Sequence, residues 1–283
     1  MKTISRISQF REWRKGISGS VGFVPTMGAL HDGHLSLVRK SNEVCKHTVV
    51  SIYVNPQQFA AGEDLEHYPR PLEKDLDKLD CFTVDGVFLP NNDNMYPEGF
   101  STKVYEEHLS KVLEGNSRPS FFQGVTTVVA KLFNIVQPSH AFFGEKDAQQ
   151  LAIIKKMVTE LNYPIEIISC PLIREENGLA MSSRNAYLSD DEKKVAAHIY
   201  LALQEGKNQL HSGVRDPQII RNSISKQISA QPLLKIDYVS VADANHLSEI
   251  TESISGDILV SVAVFLGKTR LIDNFSYSPS SNK

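Results

Sequence analysis

Two histidines three residues apart, His31 and His34, carry the plainest chemistry in the sequence. They lie in Val24–Leu35, VPTMGALHDGHL. A Val/Phe run ends at Pro25 and a glycine-bearing turn follows. Leu35 and Val38 then fall at helical spacing, which predicts a helix from Gly33 or His34. A helix N-terminus presents free N–H groups and partial positive charge, so it accepts anions. Two imidazoles there can donate to phosphate oxygens and stabilise charge as a phosphoanhydride breaks. Gly28 and Gly33 let the backbone approach a ligand closely. A zinc reading fails, because no third ligand stands at a suitable spacing. His47, His108, His198 and His211 lack this context and read as ordinary surface or hydrogen-bonded histidines.

Three more segments follow the same pattern of strand, turn and polar cluster. In SIYVNPQQF, Asn55-Pro56 signals a turn, and Gln57 and Gln58 then face the crevice at the strand end. An amide donates and accepts, which suits a hydroxyl or carboxylate, although a glutamine pair in a loop is bland by itself. In FFGEKDAQQL the strand stops at Gly144, Glu145, Lys146 and Asp147 crowd the turn, and a helix from about Asp147 carries Gln150. Lys146 can neutralise phosphate and Asp147 can accept from ribose hydroxyls; the alternative is an acidic cap beside a solvated lysine. In MSSRN, the hydroxyls of Ser182 and Ser183 and the donor fork of Arg184 match a triphosphate tail. The alternative there is a polar linker that caps the next helix.

The elements that must position these groups come from hydrophobic patterning. Residues 21–25, 48–54, 85–89, 141–144 and 165–173 are nearly continuous in Val, Ile and Phe, as strands covered on both faces are. They alternate with segments of helical spacing, which predicts an α/β fold with a Rossmann-like, doubly wound parallel sheet. Such sheets bind ligands beyond the carboxyl ends of their strands, near a topological switch point. After Ile173 the pattern changes. Ser189 opens a long helix as a capping box, Asp216-Pro217 opens another, and residues 236–242, 258–266 and 271–275 read as strands. The expected division is a Rossmann-like domain over 1–177 and a smaller α+β lid domain over 178–283, with a frayed tail SPSSNK.

Composition limits the partners. Thirty basic against 33 acidic residues, net charge −3, with no useful Lys/Arg run, argues against nucleic acid and anionic membranes. No stretch reaches the ~18 apolar residues that span a bilayer, and the start, MKTISRISQFREWRKG, has no apolar signal core. Cys45, Cys81 and Cys170 form no CxxC pair and read as core thiols of a cytoplasmic protein.

An early HxGH pair with a late Ser/Arg loop on an α/β sheet resembles the nucleotidyltransferase superfamily that includes class I aminoacyl-tRNA synthetases. MSSRN looks like its KMSKS-type loop. PTMGALHDGH, VNPQQF, FFGEKDAQQ and LAMSSRN, in this order, resemble the pantothenate synthetase (pantoate–β-alanine ligase) family over nearly the whole chain. The resemblance implies ATP-driven formation of pantoyl adenylate, then attack by β-alanine with release of AMP. It implies that Met27, Gly28, Ala29, Leu30, His31, Asp32, Gly33 and His34 line the ATP site. Gly144, Glu145, Lys146, Asp147, Ile173, Met181, Ser182, Ser183 and Arg184 are implied to complete it. Pro25, Met27, Gln58 and Gln150 are implied to hold pantoate, with Gln58 also near β-alanine. His34 falls at the family's proton-donor position, and its physical role is read as stabilising phosphate charge, together with His31, Lys146, Ser182, Ser183 and Arg184. Magnesium is expected with ATP, and a homodimer through the N-terminal domain is implied.

Two departures stand out. Phe121, in Arg118-Pro119-Ser120-Phe121-Phe122, replaces a histidine of the family's RPxHF. An acidic cluster that faces magnesium in some relatives is reduced to Asp75 beside Lys74, so no protein metal ligand is assigned. A nucleotidyltransferase acting on another small carboxylate or a phosphate acceptor is one alternative; a phosphate acceptor would call for Arg or Lys at Gln58 and Gln150. A regulatory module that has lost catalysis is another, and it predicts damaged phosphate contacts.

Overall fold

A computed structural model describes residues 1–60 and 62–279, so Ser280–Lys283 of the tail lie outside the described residues. The chain forms two compact units, one of residues 1–145 with 149–171, the other of Lys146–Ala148 with the chain from Leu172 onward.

The first unit is the expected doubly wound parallel sheet. Its strands are β1 (Lys2–Ile4), β2 (Val21–Thr26), β3 (His47–Ile52), β4 (Gly86–Phe88), β5 (His140–Gly144) and β6 (Glu166–Cys170), in the order β1-β4-β3-β2-β5-β6. The helices are α1 (Ile7–Lys15), α2 (Asp32–Val44), α3 (Leu72–Asp80), short α4 (Asn92–Met95) and α5 (Glu114–Ser117), then α6 (Phe121–Val136) and α7 (Ala148–Glu160). Successive strand residues point to opposite faces. On β2, a Cβ at Gly22 would stand 2.1 Å from Ser41 Oγ of α2, whereas the Phe23 ring meets Phe133 of α6 at 6.4 Å. Thus α2 covers one face and α6 the other. Val24, Leu37, Val38, Val50, Val87 and Phe142 fill the α2 side. Each such buried side chain contributes roughly 1.5–3 kcal/mol of hydrophobic stabilisation.

The second unit places α8 (Asp190–Ala196), α9 (His198–His211) and α10 (Pro217–Ser229) with an antiparallel sheet of β7 (Leu234–Asp243), β8 (Ile258–Leu266) and β9 (Thr269–Tyr277). Leu203, Ile220, Ile224, Val260, Val262 and Val264 lie in its core. The capping box at Ser189 and Glu192 and the cap at Asp216 form as expected.

Local details differ from expectation. The strand expected to reach Ile173 ends at Cys170, and β1 adds a strand that the hydrophobic pattern does not signal. The long helix after Ser189 is two helices, separated at Ala197. Cys45 and Cys170 are buried but Cys81 is exposed, so it is no core thiol. Burial pushes the Cys170 thiol up to about 11 and the Cys45 thiol upward too. No helix among the described residues is long and apolar enough to cross a membrane.

Candidate active site

The chain runs outward from β2 through β3 to β4, then returns to the other side of β2 for β5 and β6. Its direction therefore reverses between β2 and β5, a topological switch point. The carboxyl ends of the adjacent strands β3, β2 and β5 deliver Asn55–Gln58, the segment from Met27 to His34, and Gly144 with Glu145. Three segments distant in sequence are neighbours because their strands are.

The turn after β2 is held from several sides. Thr26 Oγ1 donates to the Ser51 carbonyl at 2.8 Å and accepts from Gly28 N–H at 3.2 Å. Gly28 (φ +83°) and Ala29 (φ +50°) then occupy the left-handed region in succession, which glycine tolerates and alanine adopts only under restraint. The restraint comes from α3. Asp75, 1% exposed, accepts from Ala29 N–H at 2.8 Å and from Leu30 N–H at 2.7 Å. Lys78, one turn on, donates to the Leu30 carbonyl. Leu30 itself is buried in the core.

His31 follows as the N-cap of α2, and its carbonyl accepts from His34 and Leu35 N–H at 2.8 and 3.0 Å. The helix thus starts at Asp32, ahead of the expected Gly33 or His34. The His31 and His34 rings lie 4.1 Å apart, tilted by 41°, at that N-terminus. Pro25, Met27 and Gly33 are partly buried around the turn, and Asp32 is exposed. Sequence alone assigns neither Asp75 nor Lys78 to this turn. Each Asp75 oxygen accepts an N–H group, so this carboxylate holds the turn. Among the described residues no group of three or more His, Cys, Asp or Glu could hold a metal ion.

Beyond β3, Pro56–Gln58 forms a 3-10 turn that separates the two glutamines. Gln57 is exposed and its Oε1 accepts from Lys103, 2.6 Å away, so it does not share the crevice with Gln58 as expected. Gln58 is buried, and its Oε1 accepts from Asn55 Nδ2 at 2.9 Å. Asn55 is fixed in turn, its Nδ2 donating to Gly124 O at 3.1 Å and its Oδ1 accepting from Tyr96 OH at 2.8 Å. Burial raises the Tyr96 phenol well above its ordinary value, so it stays a neutral donor. This chain of bonds engages the Gln58 Oε1 as an acceptor, which leaves its –NH₂ as the group able to donate to a carboxylate or hydroxyl oxygen.

Gly124 of α6 makes that turn possible. A Cβ there would lie 2.1 Å from the Gln57 carbonyl oxygen. Arg118 braces the same turn, donating at 2.9 Å to the Gln58 carbonyl and at 2.6 Å to each oxygen of Glu63. Its guanidinium stacks 3.8 Å from the Phe121 ring, so the residue at the family's histidine position is engaged with Arg118. In α7, Gln149 is consumed structurally, donating to Leu109 and Val112 carbonyls at 2.7 Å each, whereas the Gln150 side chain is partly buried and makes no hydrogen bond to the described residues.

In the second unit, a tight hairpin carries MSSRN. Arg174 pairs with Ala180, and Met181 N–H donates to the Ile173 carbonyl at 3.0 Å, bringing Ile173 and Met181 side by side. Asp273 of β9 receives Arg174 Nη1 at 2.7 Å and Nη2 at 2.9 Å, and the guanidinium lies 4.1 Å from the Tyr200 ring. Burial pushes the Asp273 carboxyl up, while Arg174 and the Asn274 N–H pull it down. Asn185 ties the loop back through Glu175 Oε1 at 2.6 Å and Ala180 O at 3.1 Å. Ser182 Oγ accepts from Arg184 N–H at 3.3 Å and caps the 3-10 turn Ser183–Tyr187. The next α-helix takes its cap from Ser189, so MSSRN is not that helix's cap. Lys146 lies 3.8 Å from Asp147, and its carbonyl accepts from Asn274 Nδ2 at 2.8 Å. Elsewhere, His47 bonds Asp85 and the Ser18 carbonyl and belongs to the scaffold.

Comparison with known proteins identifies the family. A family model described as pantoate-beta-alanine ligase matches residues 1–276. The pantothenate synthetase of Syntrophomonas wolfei is 50% identical over 279 residues, covering 97% of this chain and 98% of that protein. The crystal structure of pantothenate synthetase from Thermus thermophilus superposes with a TM-score of 0.92 at 42% identity, over 97% of this chain and 99% of that one. Pantoate-beta-alanine ligase from Francisella tularensis, solved with beta-gamma ATP and beta-alanine, matches at a TM-score of 0.80 and 34% identity, over 99% of both chains. The chain belongs to the pantoate–β-alanine ligase family.

Proposed function

We propose that the chain joins pantoate to β-alanine at the expense of ATP, through a pantoyl adenylate. The observation that carries this reading is the pair of adjoining imidazoles, 4.1 Å apart at the α2 N-terminus and on the switch point of the sheet, one strand from the Gln58 amide. In the first step a pantoate carboxylate oxygen attacks the ATP α-phosphorus, and the bond to the bridging oxygen breaks to release pyrophosphate. No enzyme nucleophile is needed; alignment and charge stabilisation suffice. His31 and His34 donate to phosphate oxygens, with the α2 N–H groups behind them. Met27, Gly28, Ala29, Leu30, Asp32 and Gly33 shape the nucleotide cradle with Gly144, Glu145 and Asp147. Lys146, Ser182, Ser183 and Arg184 are assigned to the triphosphate, and Ile173 and Met181 to the base. Pro25, Met27, Gln58 and Gln150 hold pantoate. In the second step the β-alanine amine attacks the acyl carbon, the C–N bond forms, the acyl–phosphate C–O bond breaks, and AMP leaves with the surplus amine proton passing to solvent.

Magnesium would accompany ATP and supply counter-charge to its phosphates. The reading also includes a homodimer formed through the first unit, which light scattering tests, and a cytoplasmic location that keeps the three thiols reduced. The deciding assay supplies ATP, pantoate and β-alanine and follows AMP, omitting each acid in turn. AMP formation should require both acids, and AMP release indifferent to pantoate would overturn the reading. Substituting His34→Ala should lower kcat by at least ~10²-fold, as expected for loss of a group that stabilises transition-state charge.

A further inference from the structure

We infer that the adjacent β9 residues Asp273 and Asn274 are positioning residues that hold Lys146 and the Ser182–Arg184 loop in register for a single polyphosphate. The inference rests on the assignment of those groups to the ATP phosphates. Asp273 grips Arg174 with both oxygens, at 2.7 and 2.9 Å, at the base of the hairpin whose other strand leads into Met181–Arg184. Its neighbour Asn274 donates from Nδ2 to the Lys146 carbonyl at 2.8 Å, across 128 residues of sequence. The two are linked, since Asp273 Oδ1 also accepts the Asn274 N–H at 2.7 Å. Asp273 is 3% exposed, and β9 is paired along its length with β8.

The physical consequence is registration. Lys146 and Arg184 stand on separate loops 38 positions apart in sequence, and neither loop belongs to a helix or strand longer than a 3-10 turn. A lysine on such a turn keeps its ammonium in place only as well as its backbone is kept. Asn274 fixes that backbone, and Asp273 fixes the hairpin. Anchoring both to consecutive residues of one paired strand makes their separation a property of the sheet rather than of two independent loops. Reaction geometry is sensitive at this scale, since a displacement of about 1 Å can cost roughly 10²-fold in rate.

The test is a pair of double-mutant cycles read by pantoate-dependent ATP–pyrophosphate exchange, which reports adenylate formation alone. Asn274→Ala should lower the exchange rate about 10-fold, and it should cost nothing further in a Lys146→Ala background, because it acts through Lys146. Effects that multiply, or a folded Asn274→Ala with wild-type exchange, overturn the inference. Asn274→Ser, which is too short to reach the carbonyl, replaces the alanine variant if that one does not fold. For Asp273, removing both charges with Asp273→Asn and Arg174→Met avoids stranding a buried guanidinium. That pair, crossed with Arg184→Ala, should likewise be non-multiplicative, and independent effects count against the inference. Should Lys146→Ala and Arg184→Ala both leave exchange unchanged, the phosphate assignment itself fails and takes the inference with it. That result is distinguishable from a failure of registration alone.

Discussion

Substituting Asp75→Asn isolates the carboxylate that holds the turn ahead of His31. The side chain keeps its shape but loses one acceptor, and its –NH₂ must then face either Ala29 N–H or Leu30 N–H, both now within 2.8 Å of a carboxylate oxygen. A buried hydrogen bond to a charged group contributes about 1.5–3 kcal/mol, and the N–H left facing a donor adds a desolvation cost of about 1–3 kcal/mol. Ala29, at φ +50°, holds a conformation that persists only while its surroundings enforce it. The turn should therefore relax, recovering part of that loss and leaving about 3 kcal/mol against the ordered conformation. At about 1.4 kcal/mol per decade, the pantoate-dependent exchange rate should fall roughly 10²-fold. Global stability should fall less, because relaxation is local and the core residues of α3 stay packed. Exchange kinetics and urea denaturation on the same preparation separate the two. An Asp75→Asn enzyme within about threefold of the wild-type rate, with an unchanged unfolding midpoint, would refute the claim that this carboxylate organises the turn.

Other substitutions probe the remaining scaffold. Gly124→Ala forces a methyl against the Gln57 carbonyl, 2.1 Å from the ideal Cβ, so α6 and the 3-10 turn must separate; overpacking should cost about 1–3 kcal/mol in denaturation, and the pantoate KM should rise. Arg118→Lys cannot serve Glu63, the Gln58 carbonyl and the Phe121 face together; pantoate KM should rise about 10-fold while ATP KM holds, and equal changes in both would contradict the assignment. A thiol-alkylating reagent should label Cys81 rapidly in the native protein and reach Cys45 and Cys170 only on denaturation, as intact-mass measurement would show.

How much of this is legible in the sequence depends on how local its causes are. β2 to β6 announce themselves as apolar runs rich in Val, Ile and Phe, but β1 buries only Ile4 of its residues and is stabilised by pairing with β4, far along the chain. The HxGH segment reads as a strand end feeding a helix. That His31 is the N-cap does not, since histidine is a poor cap and Asp32 beside it carries no such role. The division of α8 from α9 falls at Ala197, whose φ −59° and ψ −22° remain helical, so no glycine or proline marks it. Asp75 acts on residues 45 and 46 positions upstream, and its partners are backbone N–H groups that every residue except proline owns. The same holds for Asn274 and the Lys146 carbonyl. Side chains that hold nearby backbone, such as the Ser189 and Asp216 caps, leave local signals, whereas those that hold backbone far along the chain leave none a single sequence can reveal.

The chain's small net charge poses a question about how it holds a polyanion, and two of its buried carboxylates sharpen it. Asp75 lies beneath the turn assigned to the nucleotide, and Asp273 lies behind the hairpin assigned to its phosphates. By Coulomb's law each should repel the ligand, more strongly for being buried. Each, however, is spent on donors: two peptide N–H groups for Asp75, the Arg174 fork and an N–H for Asp273. The N–H dipoles and the guanidinium offset much of the field that reaches the ligand, and the remaining effect of each carboxylate is geometric. The two accounts predict opposite signs. If repulsion dominated, Asp75→Ala would tighten ATP binding and quicken adenylation. If positioning dominates, as the doubly bonded carboxylate and the left-handed Ala29 argue, the same substitution slows adenylation by at least as much as Asp75→Asn.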